Sequence, residues 1–153
     1  TADEIKRGIE AFEGESGRGR IHHAQGVTFV DESYNANPLS VAASLAYLGG
    51  MEGAGRKLFV FADMLELGKQ ASRYHREVAA MVLEQEIDMV FTFGDMAAVT
   101  AAHCRSLGHE HTYHFDDVNK LAERLGETIR EGDVVLVKGS RAMRLERAIQ
   151  SFV

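Results

Sequence analysis

Two short polar stretches carry the residue types that bind and move charged groups: Asp31-Glu32-Ser33-Tyr34-Asn35-Ala36-Asn37-Pro38 and Lys138-Gly139-Ser140-Arg141. In the first, Asn37 is a good N-cap and Pro38 a good first helical residue, so a helix begins there with its positive end toward the stretch. Asp31 follows an apolar run and is suited to accept hydrogen bonds from the vicinal hydroxyls of a ribose; the same letters also fit a well-capped turn with an exposed Asp. In the second stretch two cations, a hydroxyl and backbone amides fall within one turn, which suits a carboxylate or a phosphate. A surface turn with solvated cations fits it equally. Gly17-Arg18-Gly19-Arg20 adds two guanidinium groups in a loop, and a solvated loop is its plain alternative.

Other constellations exclude chemistry. No G-x-x-x-x-G-K-[ST] occurs and no strand-linked G-x-G-x-x-G, so the chain is not a self-sufficient nucleotide hydrolase of the P-loop type nor a dinucleotide fold. His109, His111 and His114 have the spacing of a loop and an edge strand, not of a helical ligand pair, so solvated histidines are preferred to a metal site. His22 and His23 point to opposite faces of a strand. His75 opens a helix, where a capping or core role outweighs catalysis, and Met64 and Met96 fit core or rim packing.

These residues need a scaffold. Four apolar runs, Val27 to Val30, Leu58 to Phe61, Met89 to Phe93 and Val134 to Val137, are too short for helices and read as buried strands. Helical spacing lies between them at Val41, Leu45, Leu48; at Tyr74, Val78, Met81, Val82; and at Val118, Leu121, Leu125, Ile129. Continuous apolar strands require cover on both faces, which predicts an open α/β sandwich with a mostly parallel sheet. A further strand is predicted at His111 to Phe115, an antiparallel edge strand at Arg20 to Gln25 turning at Gln25-Gly26, and helices at Ala97 to Leu107 and Met143 to Ile149. The polar stretches, with Ala62-Asp63-Met64-Leu65-Glu66-Leu67-Gly68 and Gly94-Asp95, all follow strands, so the binding face belongs at the carboxyl edge of the sheet. An amphipathic N-terminal helix with Ile5, Ile9 and Phe12 precedes a Gly-rich boundary at 14–19.

With 153 residues, 45% hydrophobic and 26% charged, the chain suits one domain with a sizeable core. Its net charge of −6, from 17 Lys and Arg against 23 Asp and Glu, lacks the footprint of a general nucleic-acid binder. No apolar run approaches the ~20 residues of a membrane span. A lone Cys104 makes no internal disulfide and no thiolate zinc cluster, pointing to a reducing compartment, the cytoplasm by default. Thr1 at the start suggests a piece of a longer protein, with 1–17 the helix and linker from a preceding domain and 18–153 the domain proper.

Taken together, DESYNANP, FADMLELG, His75 and VLVKGSRAMRLE resemble the C-terminal domain of the ATP-dependent Mur ligases over nearly the whole chain. The likeness is to the members that join D-alanyl-D-alanine to UDP-N-acetylmuramoyl-tripeptide through an acyl phosphate in peptidoglycan synthesis. The resemblance implies a Rossmann-like domain that closes over an N-terminal domain holding the sugar peptide and a central domain holding ATP and Mg2+. It implies nucleotide contacts from Arg18, Asp31, Tyr34 and Asn35, and contacts to the incoming amino component from Asn37, Lys138, Ser140 and Arg141. Arg20 stays an alternative to Arg18, because one sequence does not fix the register. Asp63 and Glu66 lie in a shared motif whose role the letters do not give, and Ala62 stands where the family usually has glycine. The P-loop, magnesium ligands and carbamylated lysine of a central domain are absent from the sequence, so the chain alone is expected to lack ligase activity. The competing reading is a non-catalytic α/β module for an anionic small molecule or a protein partner.

Overall fold

The computed structural model describes residues 18–153; the expected helix of Ile5, Ile9 and Phe12 and the 1–17 segment lie outside the described residues. In chain order the elements are β1 (Arg20–Ala24), β2 (Val27–Glu32), α1 (Pro38–Gly49), β3 (Lys57–Ala62), α2 (Ala71–Glu84), β4 (Met89–Phe93), α3 (Ala97–Ser106), β5 (Thr112–Phe115), α4 (Val118–Thr128) and β6 (Val134–Lys138). The strands form one sheet ordered β1-β2-β6-β3-β4-β5. β1 runs antiparallel to β2 and every other pairing is parallel. The expected edge hairpin is present: Gln25 and Gly26 both take positive φ, 54° and 75°, the geometry of a type I′ turn.

Side chains alternate across the sheet, and both sets are apolar. Val30, Phe59, Phe61, Val90 and Leu136 meet Val41, Leu45 and Leu48 of α1, Val78 and Val82 of α2, and Ala97 and Cys104 of α3. On the other face Phe29, Leu58, Val60, Phe91, Val135 and Val137 meet Val118, Leu121 and Leu125 of α4 together with Leu145, Ala148 and Ile149. This double cover is why the strands read as unbroken apolar runs.

The order of connections decides where a ligand would sit. The chain passes from β2 through α1 to β3, and later returns from β5 through α4 on the opposite face to insert β6 between them. Such a reversal leaves a crevice at the carboxyl ends of the neighbouring strands. Glu32 pairs with Lys138 and Phe61 with Lys138, so the polar stretches after β2, β6 and β3 emerge side by side.

One expected element differs. The 143–149 region is not an α-helix but two 3₁₀ turns, Arg141–Met143 and Leu145–Ala148, separated by Arg144 in the left-handed region at φ 51°. The inward positions were nevertheless the expected ones, Leu145, Ala148 and Ile149. The i, i+3 spacing that suggests an α-helix serves a 3₁₀ turn as well.

Candidate functional site

The β2–α1 connection is built from its own polar side chains. Asp31 lies within β2 and is only 3% exposed, not the exposed Asp of a plain turn. Its Oδ1 accepts hydrogen bonds from the Ser33 amide at 3.0 Å and the Ser33 hydroxyl at 2.6 Å, which turns the chain out of the strand and leaves any ribose contact to its other oxygen. Asn37 Oδ1 accepts from the Ser40 amide at 2.8 Å while Ser40 Oγ accepts from the Asn37 amide at 3.0 Å, a reciprocal capping box that locks the first turn of α1. Tyr34 and Asn35 are thereby left exposed at the rim. The Arg18 guanidinium lies 3.7 Å over the Tyr34 ring, a cation–π stack that carries the loop arginine to the same rim.

Beneath them sits Lys138, the last residue of β6, 6% exposed. Its Nζ donates to the Asn35 carbonyl at 2.8 Å and lies 3.6 Å from Glu32 Oε2. Glu32 in turn accepts the Ser44 hydroxyl of α1. Burial lowers the Lys138 pKa below its ordinary value, and the Glu32 carboxylate opposes that shift.

The β6 and β3 stretches are sewn together. The Ser140 amide donates to the Asp63 carbonyl at 3.1 Å, and Ser140 Oγ accepts from the Leu65 amide at 2.9 Å. Asp63 Oδ1 accepts from the Ala97 amide at 2.7 Å and so satisfies the start of α3. Arg141 is exposed and follows the β6 stretch, and its guanidinium pairs with Glu146 Oε1 at 2.8 Å, a hydrogen bond that raises its pKa above the ordinary arginine value.

Arg18, Glu32, Tyr34, Asn35, Ser40 and Lys138 line a cleft of about 290 Å³. That is the low end of the ~300–1,000 Å³ of small-molecule sites, the size of part of a ligand. A wider groove of about 680 Å³ beside α4 is lined by Asn119, Glu123, Arg147 and Phe152 among others, and none of its residues belongs to the polar stretches. Among the described residues no group of three His, Cys, Asp or Glu side chains could hold a metal ion. His109 is engaged by Thr112 Oγ1 and the Ile87 carbonyl, both at 2.7 Å.

The Mur ligase, glutamate ligase domain family matches residues 17–141. The chain belongs to the Mur ligase family. It is 38% identical over 148 residues to the UDP-N-acetylmuramoyl-tripeptide–D-alanyl-D-alanine ligase of Treponema pallidum, covering 95% of this chain and 32% of that protein. To the ligase of the same name from Bacillus subtilis it is 32% identical over 129 residues, 84% of this chain and 28% of that protein. The MurF ligase of Thermotoga maritima, solved in complex with ADP, superposes with a TM-score of 0.78 at 30% identity over 93% of this chain and 31% of that one. The chain therefore spans about a third of the length of these relatives.

Within this Mur ligase domain several roles were invisible in the letters. A Cβ on Gly139 would come 2.9 Å from the Ala62 Cβ, so the alanine fits because position 139 is bare. His75 is fully buried: its Nδ1–H donates to the Ala71 carbonyl at 2.7 Å and its Nε2 accepts from the Met64 amide at 3.0 Å. Both nitrogens are committed to the neutral ring, and burial lowers its pKa. Glu32, Ser44 and Glu146 carry partners of the site yet had drawn no expectation. Only Ser40 had a legible signal, three positions after the N-cap.

Proposed function

We propose that this chain is the C-terminal domain of a cytoplasmic UDP-N-acetylmuramoyl-tripeptide–D-alanyl-D-alanine ligase, with 18–153 the domain and 1–17 its link to a preceding one. In the reaction a tripeptide carboxylate oxygen takes the γ-phosphoryl of ATP, ADP departs, and the amine of D-alanyl-D-alanine attacks the acyl carbon. The amine loses a proton, phosphate leaves and the amide remains. The observation that carries this reading is the convergence of Arg18, Tyr34, Asn35 and Lys138 at one end of the sheet around a cleft sized for part of a ligand, with Arg141 three residues beyond Lys138 in the chain. The names of the relatives support a ligase over a non-catalytic binding module.

In this assignment Arg18 neutralises developing charge on the transferring phosphoryl, as a fixed cation does in a dry site. Tyr34 and Asn35 flank the nucleotide, and Asp31 faces its ribose. Arg141 faces the carboxylate of the incoming dipeptide, with Asn37 at the border between the two ligands, while Ser140 and Lys138 hold the loops from beneath. ATP and Mg2+ are assigned mainly to the neighbouring central domain, as the family resemblance implies.

The test is turnover by the longer ligase that carries this chain. It should release phosphate only when ATP, the nucleotide-linked tripeptide and D-alanyl-D-alanine are all present. Arg18→Ala should lower kcat by about a hundredfold or more, the scale of one lost electrostatic donor, with Arg20→Ala nearly silent. Normal turnover by the Arg18 variant, with loss in the Arg20 variant, would move the role to Arg20. No phosphate release from the unaltered ligase would refute the reading.

A further inference from the structure

The buried lysine at the end of β6 has a different task from the cations at the rim. Its Nζ is directed at a backbone carbonyl of the β2–α1 loop, residue 35, although the two residues lie 103 positions apart in the chain. Its carboxylate partner Glu32 is the residue opposite it in the sheet register, and Glu32 is held from the other side by Ser44 of α1. Strand β6, strand β2, helix α1 and the loop between them are therefore joined through one partly buried cluster. That cluster lies directly under Tyr34 and Asn35, and both Glu32 and Lys138 line the cleft floor.

We infer that Lys138, with Glu32 and Ser44, is a positioning residue for the nucleotide side of the site: it fixes the Tyr34–Asn35 turn through the Asn35 carbonyl and does not grip the incoming dipeptide. The geometry favours this over a dipeptide contact because the ammonium donates to the Asn35 carbonyl, faces Glu32 and belongs to a residue only 6% exposed, whereas Arg141 is exposed. A bond to a carbonyl aligns a main-chain segment regardless of the side chain it carries, so the turn is set even though Tyr34 and Asn35 project outward. The inference rests on the ligase reading for its kinetic consequence, and on the structure alone for its effect on the turn.

The experiment compares Lys138→Met with the double variant Glu32→Gln/Lys138→Met in the longer ligase, following melting temperature and KM for each substrate. The single variant leaves the half-buried Glu32 carboxylate without its cation and should melt earlier. The double variant removes that charge and should regain most of the stability, yet its KM for ATP should stay raised about tenfold, the low end for losing a hydrogen bond to a charged group. Its KM for D-alanyl-D-alanine should move less than about twofold, since a contact that is not made cannot be lost. Recovery of KM for ATP together with stability would reduce Lys138 to a structural ion pair and overturn the inference; so would a rise in KM for the dipeptide instead. If the unaltered ligase shows no turnover, the ligase reading has failed by itself. The amide resonances of Tyr34, Asn35 and Ala36 in this chain then decide: displacement in the double variant, with Gly108 unmoved, supports the positioning role, and unchanged resonances refute it.

Discussion

Polar residues at the strand ends face in two directions. Arg18, Tyr34, Asn35 and Arg141 face outward, while Lys138, Ser140, Asp63 and His75 turn inward and hold the loops that present them. The residue types at these positions were legible in the sequence, but the direction was not. The partners of Ser140, Lys138 and Asp63 are 75, 103 and 34 positions away, and nothing local marks which amide or carbonyl will arrive within 3 Å. His75 gives the sharpest consequence. Its folded-state pKa is depressed by burial, so the unfolded chain takes up the proton first as pH falls below the ordinary ~6.5. The stability it contributes is fully present above that value and is lost as pH falls through the folded-state pKa, at up to ~1.4 kcal/mol per pH unit. Urea denaturation between pH 5 and 8, run beside His75→Gln, should show this slope in the native protein and a shallower one in the variant; parallel slopes would contradict it. Cys104 makes the complementary case. Burial pushes its thiol pKa up to about 11, so a disulfide reagent at pH 8 should label it only after unfolding, and rapid native labelling would contradict the buried site.

Elements were more legible than residues, because periodicity is local. The strands and the helices α1 to α4 stand where the apolar pattern put them, since short unbroken apolar runs and 3.6-residue spacing are properties of the chain itself. The segment after β6 was not so legible: Arg144 adopts a left-handed conformation that arginine does not advertise, and the expected helix becomes two turns. Element ends carry the predictions here. Asn37→Ala removes one half of the capping box of α1 and should cost about 1 kcal/mol. Gly94 has φ of 110°, and a Cβ there would lie 2.5 Å from Asp63 Oδ1, the atom that caps α3. Gly94→Ala should therefore cost about 2 kcal/mol or more, the sum of backbone strain and a displaced cap. Denaturation midpoints at constant slope check both, and a silent Gly94→Ala would mean that Asp63 is not held as described.

At the scale of the whole molecule, the return of β6 between β2 and β3 turns separate polar stretches into one rim. The letters located the carboxyl edge, because each stretch follows a strand, and the family likeness located the chemistry. The cleft of about 290 Å³ at that rim has the size expected of a site that holds part of a ligand. On the proposed ligase reading, the domain brings Arg18, Tyr34, Asn35 and Arg141 to a site whose remaining walls belong to a neighbouring domain. The most direct measurement is a titration of this chain with ATP and Mg2+, followed by backbone amide shifts and phosphate release together. The account predicts millimolar or weaker binding, shifts confined to Arg18, Tyr34, Asn35 and the first turn of α1, and no hydrolysis. Tight binding with magnesium-dependent hydrolysis, or shifts gathered instead in the groove beside α4, would contradict it.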